Sequence, residues 1–183
     1  MKYYRLQDDI NFKNRWYLGD VSGLSLKFKG ENSLSFEDAR IEVYEEGEPM
    51  DFTIVEGNGP PVVSKVLKEV LVQNCQGISF IPVTIISESN LNSEYFILVI
   101  EEEVDCVDES LSDYQKFEIN DPVRPDKAGD YRAFFKLIVD ESTLNDKQMF
   151  RLMKFNIAII VNEELKEVLE SGKYAGLHFA LVS

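Results

Sequence analysis

The chain of 183 residues has one histidine and two cysteines but 33 carboxylates, so any chemistry of its own would rest almost wholly on Asp and Glu. His178 lies between Leu177 and Phe179, and strand alternation sets it on the opposite face, beside Ala180 and Val182. A lone histidine among apolar neighbours reads as structural. Cys75 and Cys106 have no CxxC spacing and no histidine nearby, which is the pattern of buried thiols in a reducing cytosol. No serine stands in a nucleophile elbow, and no cysteine has a base close in sequence. Gly57-Asn58-Gly59 precedes a helical stretch and suggests anion binding at a helix N-terminus. The two prolines that follow remove backbone donors, however, and no P-loop lysine is in register.

Carboxylates offer two further chemistries. Asp105, Asp108 and Glu109 could ligate a hard cation, but Asp105-Cys106-Val107-Asp108 lacks the alternating oxygen ligands and central glycine of a calcium loop. A carboxylate pair could act as acid and base in a hydrolase, but nothing singles out one pair among so many. The sequence therefore assigns no catalytic residue, no cofactor-binding residue and no metal ligand. Trp16 and Tyr3-Tyr4 could form a ligand platform, with core packing as the default.

The charge points instead to recognition. The formal net charge is −14, and two segments supply all of it. Residues 37–51 carry seven carboxylates against Arg40, and residues 101–121 carry nine against Lys116. Such segments are either solvated faces or a docking surface for a basic partner, and the same field disfavours nucleic acid and anionic membranes. The candidate partner surface is Glu101, Glu102, Glu103, Asp105, Asp108, Glu109 and Asp113, where an apolar strand gives way to a polar loop. Lys116 is the only cation close in sequence, so at least some of this group must face water or a partner.

The elements that position these residues are mostly strands. Aromatic or alternating stretches predict strands at Lys2 to Leu6, Arg15 to Leu18, Leu24 to Phe28, Ile41 to Tyr44 and Phe52 to Val55. Pro60-Pro61 reads as a stop before a helix at Lys65 to Asn74. Ile78 to Ile86 and Tyr95 to Val104 read as antiparallel neighbours covered on both faces, with Pro82 marking an edge or a bulge. Residues 105–130 read as a long polar loop. Tyr131 to Val139 is a strand, Asn145 to Met153 a short helix or turn, and Ile157 to Val161 a buried strand. A helix over Glu163 to Ser171 stops at Gly172, and Leu177 to Val182 closes the chain as a strand. No apolar run is long enough to span a membrane, and no signal peptide precedes the first strand.

One pattern occurs twice. Leu67-Lys68-Glu69-Val70-Leu71 leads to Gly77-Ile78-Ser79-Phe80, and Leu165-Lys166-Glu167-Val168-Leu169 leads to Gly176-Leu177-His178-Phe179. Ser64 and Asn162 stand at the two N-cap positions. Leucine and valine at the first, fourth and fifth positions share one helical face. The expected fold is α+β, a mostly antiparallel or mixed sheet with a few helices and two similar helix–turn–strand units. It is read as one domain over 1–183, with a strand-rich part over 1–60 and a repeat-containing part over 61–183.

Longer stretches resemble a known family. Met149-Phe150-Arg151-Leu152, the run from Ile157 to Lys166, and Gly176-Leu177-His178-Phe179 are similar to the closing segment of the Imm11 family of bacterial immunity proteins, also classed as a DUF1629 domain. Phe80-Ile81-Pro82-Val83-Thr84-Ile85, Tyr95-Phe96-Ile97-Leu98, Tyr3-Tyr4-Arg5-Leu6 and Trp16-Tyr17-Leu18-Gly19 extend the resemblance over most of the chain. It implies a non-enzymatic cytoplasmic protein that binds a cognate toxin of a polymorphic toxin system, one encoded beside it. The acidic surplus fits a basic toxin. Two other readings stay open: a general protein- or ligand-binding module, and a carboxylate-dependent hydrolase.

Overall fold

The computed structural model describes residues 1–23, 27–29, 33–35, 39–89 and 93–183. Its strands are β1 (Tyr3–Asp8), β2 (Tyr17–Ser22), β3 (Lys27–Lys29), β4 (Ser33–Ser35), β5 (Arg40–Glu45), β6 (Phe52–Ile54) and β7 (Pro61–Ser64). Helix α1 (Lys65–Asn74) follows, then β8 (Ile78–Ile86), β9 (Tyr95–Ile100), β10 (Glu103–Val104), β11 (Asp113–Lys116), β12 (Tyr131–Lys136), β13 (Met149–Leu152) and β14 (Phe155–Asn162). Helix α2 (Glu163–Ser171) and β15 (Leu177–Leu181) complete an α+β fold of mixed and antiparallel sheets.

Two compact units divide the chain. One takes Asp8–Val99 and Leu169–His178 and carries a six-stranded sheet in the order β2-β5-β8-β9-β7-β6. Strands β5 and β8 run parallel; β2–β5, β6–β7 and β7–β9 are antiparallel. Its core gathers Trp16, Ile41, Met50, Val62 and Ile97, with Trp16 tilted against Tyr95 at 5.2 Å. The other unit takes Met1–Gln7, Ile100–Val168 and Phe179–Ser183. It carries the order β10-β13-β14-β1-β15 and a separate β11-β12 ribbon. Tyr3, Cys106, Phe150, Leu152, Ala158 and Ile160 lie in its core. Tyr3 and Trp16 are thus packing residues rather than a ligand platform.

The repeated pattern is a repeated structure. Ser64 Oγ accepts from Leu67 N at 3.3 Å, and Asn162 Oδ1 accepts from Leu165 N at 2.9 Å, so each side chain satisfies a free donor of the first helical turn. Each cap sits opposite a tyrosine in an antiparallel ladder, Ser64 with Tyr95 and Asn162 with Tyr3. The next amide in each copy donates to the residue before that tyrosine, Lys65 N to Glu94 O and Glu163 N to Lys2 O, both at 2.9 Å. The lysine of each LKEVL lies over the phenylalanine of its own Gly-x-x-Phe, Lys68 over Phe80 at 5.6 Å and Lys166 over Phe179 at 5.8 Å. Even the entering hairpins match, β6–β7 in one copy and β13–β14 in the other. The first copy takes its fourth strand, β9, from downstream; the second takes β1 from the start of the chain.

Several expectations change. Pro61 does not stop the chain but opens β7, where a missing N–H is tolerated. Residues 149–152 form a strand, because Met149, Phe150 and Leu152 are buried along a ladder with β14. The run expected from Tyr95 to Val104 is two strands broken at Glu101-Glu102. Strand β9 is buried as expected, whereas β8 has a solvated face. Pro82 shares its parity with Thr84, whose N–H donates to Ala39 O, and the described ladder with β5 starts only at Thr84. Strand β8 lies between β5 and β9, so Pro82 does not mark a sheet edge. After α2 the left-handed residue is Lys173 (φ 55°) rather than Gly172. Of the strand expected over Leu24 to Phe28, Leu24, Ser25 and Leu26 lie outside the described residues, as do Glu37 and Asp38 of the first acidic segment.

The two corner glycines differ in what they face. Both have positive φ, 69° at Gly77 and 94° at Gly176. A Cβ on Gly77 meets nothing within 4 Å, while one on Gly176 falls 2.0 Å from Phe52 O. Gly77→Ala should therefore cost only the left-handed strain of about 1–2 kcal/mol. Gly176→Ala adds a backbone overlap and should cost at least about 3 kcal/mol. Chemical denaturation midpoints check this, and equal losses contradict the account.

Candidate functional site

The sequence-selected carboxylates lie in one unit, on β10, on β11 and on the segments around them. Strand β10 pairs in parallel with β13, Glu103 opposite Arg151 and Val104 opposite Leu152. Arg151 N donates to Glu102 O at 2.8 Å and Met153 N to Val104 O at 2.9 Å, which holds the acidic backbone against the sheet. Alternation then sorts the side chains. Val104 packs on the core and Cys106 is inside it, so Glu101, Glu103 and Asp105 are turned outward and exposed. Asp113, on β11 opposite Lys136, is exposed as well.

The other three carboxylates are engaged within the protein. Glu102 forms an ion pair with Lys147, a cation 45 residues away in sequence. Asp108 accepts from Ser110 Oγ at 2.6 Å, Ser110 N at 2.9 Å and Leu111 N at 3.2 Å, closing the turn before β11. The Ser110 hydroxyl, foremost among these donors, holds its pKa below the usual carboxylate value. Glu109 accepts from Lys116 Nζ and Tyr131 Oη, both at 2.6 Å, and from Tyr114 Oη at 2.9 Å. Led by the lysine, these donors push its pKa down to about 2. Burial first, and then the hydrogen bond to Glu109, raises the Tyr131 phenol above its ordinary value. Lys116 also lies over the Tyr131 ring at 4.9 Å.

Beyond β11 an open cleft of about 700 Å³ is lined by Lys116, Phe117, Asp121, Arg124 and Arg132 among others. Its cations are largely committed. Arg124 makes two hydrogen bonds to Asp126, at 3.1 and 2.9 Å, and Asp121 closes a turn by accepting from Val123 N and Arg124 N. The other unit has a smaller cleft of about 200 Å³ around Asp8, Arg15, Tyr17, Tyr44 and Glu56. Arg15 is buried there, donating to Asp8 Oδ2 at 2.5 Å and stacked on Tyr17 at 4.6 Å. Burial raises the Asp8 pKa even so.

The remaining chemical candidates are placed plainly. His178 is exposed on β15. Burial raises the Cys75 thiol to about 11 and the Cys106 thiol to about 12, so neither presents a thiolate near neutral pH. Gly57 and Asn58 form a left-handed turn before β7, so they do not stand at the N-terminus of α1. Among the described residues no group of three or more His, Cys, Asp or Glu could hold a metal ion, and no helix is long and apolar enough to cross a membrane.

Sequence inspection missed two things. Lys147 and Arg151 reach the acidic strand through the fold, invisibly to a search of neighbouring positions. The exposed apolar side chains of the β11–β12 region, Leu111, Ile119, Val123 and Phe135, were also passed over. The one available signal was Phe134-Phe135, since two successive strand residues cannot both face a core.

The Glu109 cluster has a pH signature. A carboxylate depressed in the folded state contributes stability above its unfolded value of about 4.5, and that contribution is lost as pH falls through about 2. Glu109→Gln should flatten the stability profile over that window. It should also bring the Tyr131 ionisation to lower pH while leaving it above 10, because burial is the larger cause. Tyrosine-ring NMR across an alkaline titration reads this directly, and an unmoved Tyr131 contradicts the network.

The model of a family described as Immunity protein family (Imm11) matches residues 3–183. No curated protein matches the chain.

Proposed function

Since the chain belongs to the Imm11 immunity protein family, we propose that it is a non-enzymatic cytoplasmic protein that binds and neutralises a cognate toxin encoded beside it. The family match over residues 3–183 carries this reading. The chemistry supports it: both thiols are held protonated, and the most perturbed carboxylate, Glu109, is saturated by three donors within the protein. A saturated carboxylate makes a poor general base, because its proton affinity has been lowered by the groups around it.

The toxin is a basic protein in this reading. Glu101, Glu103, Asp105 and Asp113 form the encounter surface, and Glu102, Asp108 and Glu109 shape the strand and turn that present it. Uncompensated carboxylates on a rigid backbone steer an oppositely charged protein and reject nucleic acid. Their effect belongs mainly to association, because solvated charges at a rim act before contact is complete.

The test is association kinetics with the purified toxin domain encoded by the adjacent gene. Glu101→Gln, Glu103→Gln, Asp105→Asn and Asp113→Asn combined should slow association on the order of tenfold at low salt. Wild type and variant should converge as salt shortens the range of the field. Equal, salt-independent rates would remove the acidic surface from the reading.

A further inference from the structure

Strand β2 is an edge of the six-stranded sheet, and it presents an aromatic ring to solvent. Trp16 and Leu18 are buried, so Tyr17 between them is turned outward. The ladder sets Tyr17 opposite Glu45 and Leu18 opposite Val43, so it skips Tyr44. This bulge leaves Tyr44 and Glu45 exposed in succession, Tyr44 at 76%. Ile10, 77% exposed, joins Tyr17, Tyr44 and Glu56 in lining the cleft of about 200 Å³. Glu56 N donates to Leu18 O at 3.2 Å, which fixes the glutamate's backbone against β2. The charge of this cleft is one-sided. Its one cation, Arg15, has a side chain only 5% exposed. The guanidinium is committed to Asp8 Oδ2 at 2.5 Å, to Asp9 O at 3.0 Å and to the Tyr17 ring at 4.6 Å. Asp8 balances that cation, whereas among the described residues neither Glu56 nor Glu45 is ion-paired.

We infer that the cleft lined by Tyr17 and Tyr44 receives a lysine or arginine side chain of the basic toxin, its stem against Ile10 and the tyrosine rings and its charged head at Glu56. This rests on the toxin-binding reading above. Charge complementarity decides the occupant. A long cationic side chain has an aliphatic stem that suits an aromatic wall and a head attracted both to ring faces and to a carboxylate. An acidic side chain would meet Glu56 and find Arg15 already committed. A neutral apolar one would desolvate Glu56 without giving it a partner. The exposed Phe135 of the β11–β12 ribbon suits a basic partner less, because Lys116, Arg132 and Lys136 stand on that ribbon against Asp113 alone. A cation seated in a concave site is a contact of the bound state, so it acts on departure rather than on arrival.

Dissociation from the surface-immobilised, inactivated toxin domain of the adjacent gene separates the outcomes. Tyr44→Ala should raise the dissociation rate about tenfold. Tyr44→Phe should stay within about twofold of wild type, because the ring face is kept, and Tyr44→Leu should resemble the alanine variant, because it is lost. Glu56→Gln should raise the rate about fivefold. Association should change by no more than about twofold in each. Thermal midpoints should be unchanged, since Tyr44 and Glu56 are both exposed. Dissociation of the Tyr44→Ala/Glu56→Gln double variant within about twofold of wild type overturns the cleft assignment and leaves toxin binding standing. Wild-type dissociation from Tyr44→Leu overturns the cationic occupant. Absence of wild-type binding overturns both readings.

Discussion

A buried strand can pass straight into a helix only if the first free N–H groups of that helix find acceptors inside the protein. This fold depends on that junction twice. Ser64 and Asn162 are both buried, each ends a strand, and each turns its side-chain oxygen onto the third amide of the following helix. The Ser64 hydroxyl is itself oriented, donating to Asp51 Oδ1 at 2.6 Å while Asp51 Oδ2 accepts from Ala175 N at 2.9 Å. One carboxylate thus ties the cap to the loop before β15. An alanine at either cap would leave buried donors unpaired, a penalty that strand pairing on either side could not offset locally.

The most legible parts of the chain were those whose signals are local. Helix α1 runs over Lys65–Asn74 as its cap and apolar stripe predict, and both LKEVL strings are helical with extended segments after their glycines. The less legible parts depended on partners distant in sequence. Met149–Leu152 shows no alternation, because it is buried along almost its whole length by a neighbouring strand and the core. The polar segment 105–130 hides β11, which is a strand only because β12 is there to pair with it. Pro61 opens a strand because a proline at the first residue avoids the lost ladder bond that a proline in the middle would bring.

The acidic surface shows the same division. Composition locates the carboxylates but not their roles. Alternation with Val104 and Cys106 turns Glu103 and Asp105 outward, and that much is periodic and readable. What engages Glu102 is Lys147, and what engages Glu109 is Lys116 with a pair of tyrosine hydroxyls; of these, Lys147 and Tyr131 are brought in by tertiary structure. A count of carboxylates from sequence therefore overstates how many are free to meet a partner, and the excess sits where the chain needs its own carboxylates as hydrogen-bond acceptors.

The second copy of the helix–strand unit draws one strand from the opposite end of the sequence, with Tyr3 pairing Asn162. That arrangement has a consequence for the nascent chain. At ordinary elongation rates, Tyr3–Asp8 leaves the ribosome on the order of ten seconds before Phe155–Asn162 exists to pair with it. The first copy, whose strands all lie within residues 52–100, suffers no such delay. The waiting strand, Tyr-Tyr-Arg-Leu-Gln-Asp, has a charge in its middle and another at its end, features that discourage pairing with a stranger. Vectorial synthesis thus imposes an order on the duplicated halves that the finished structure, in which they look alike, no longer displays.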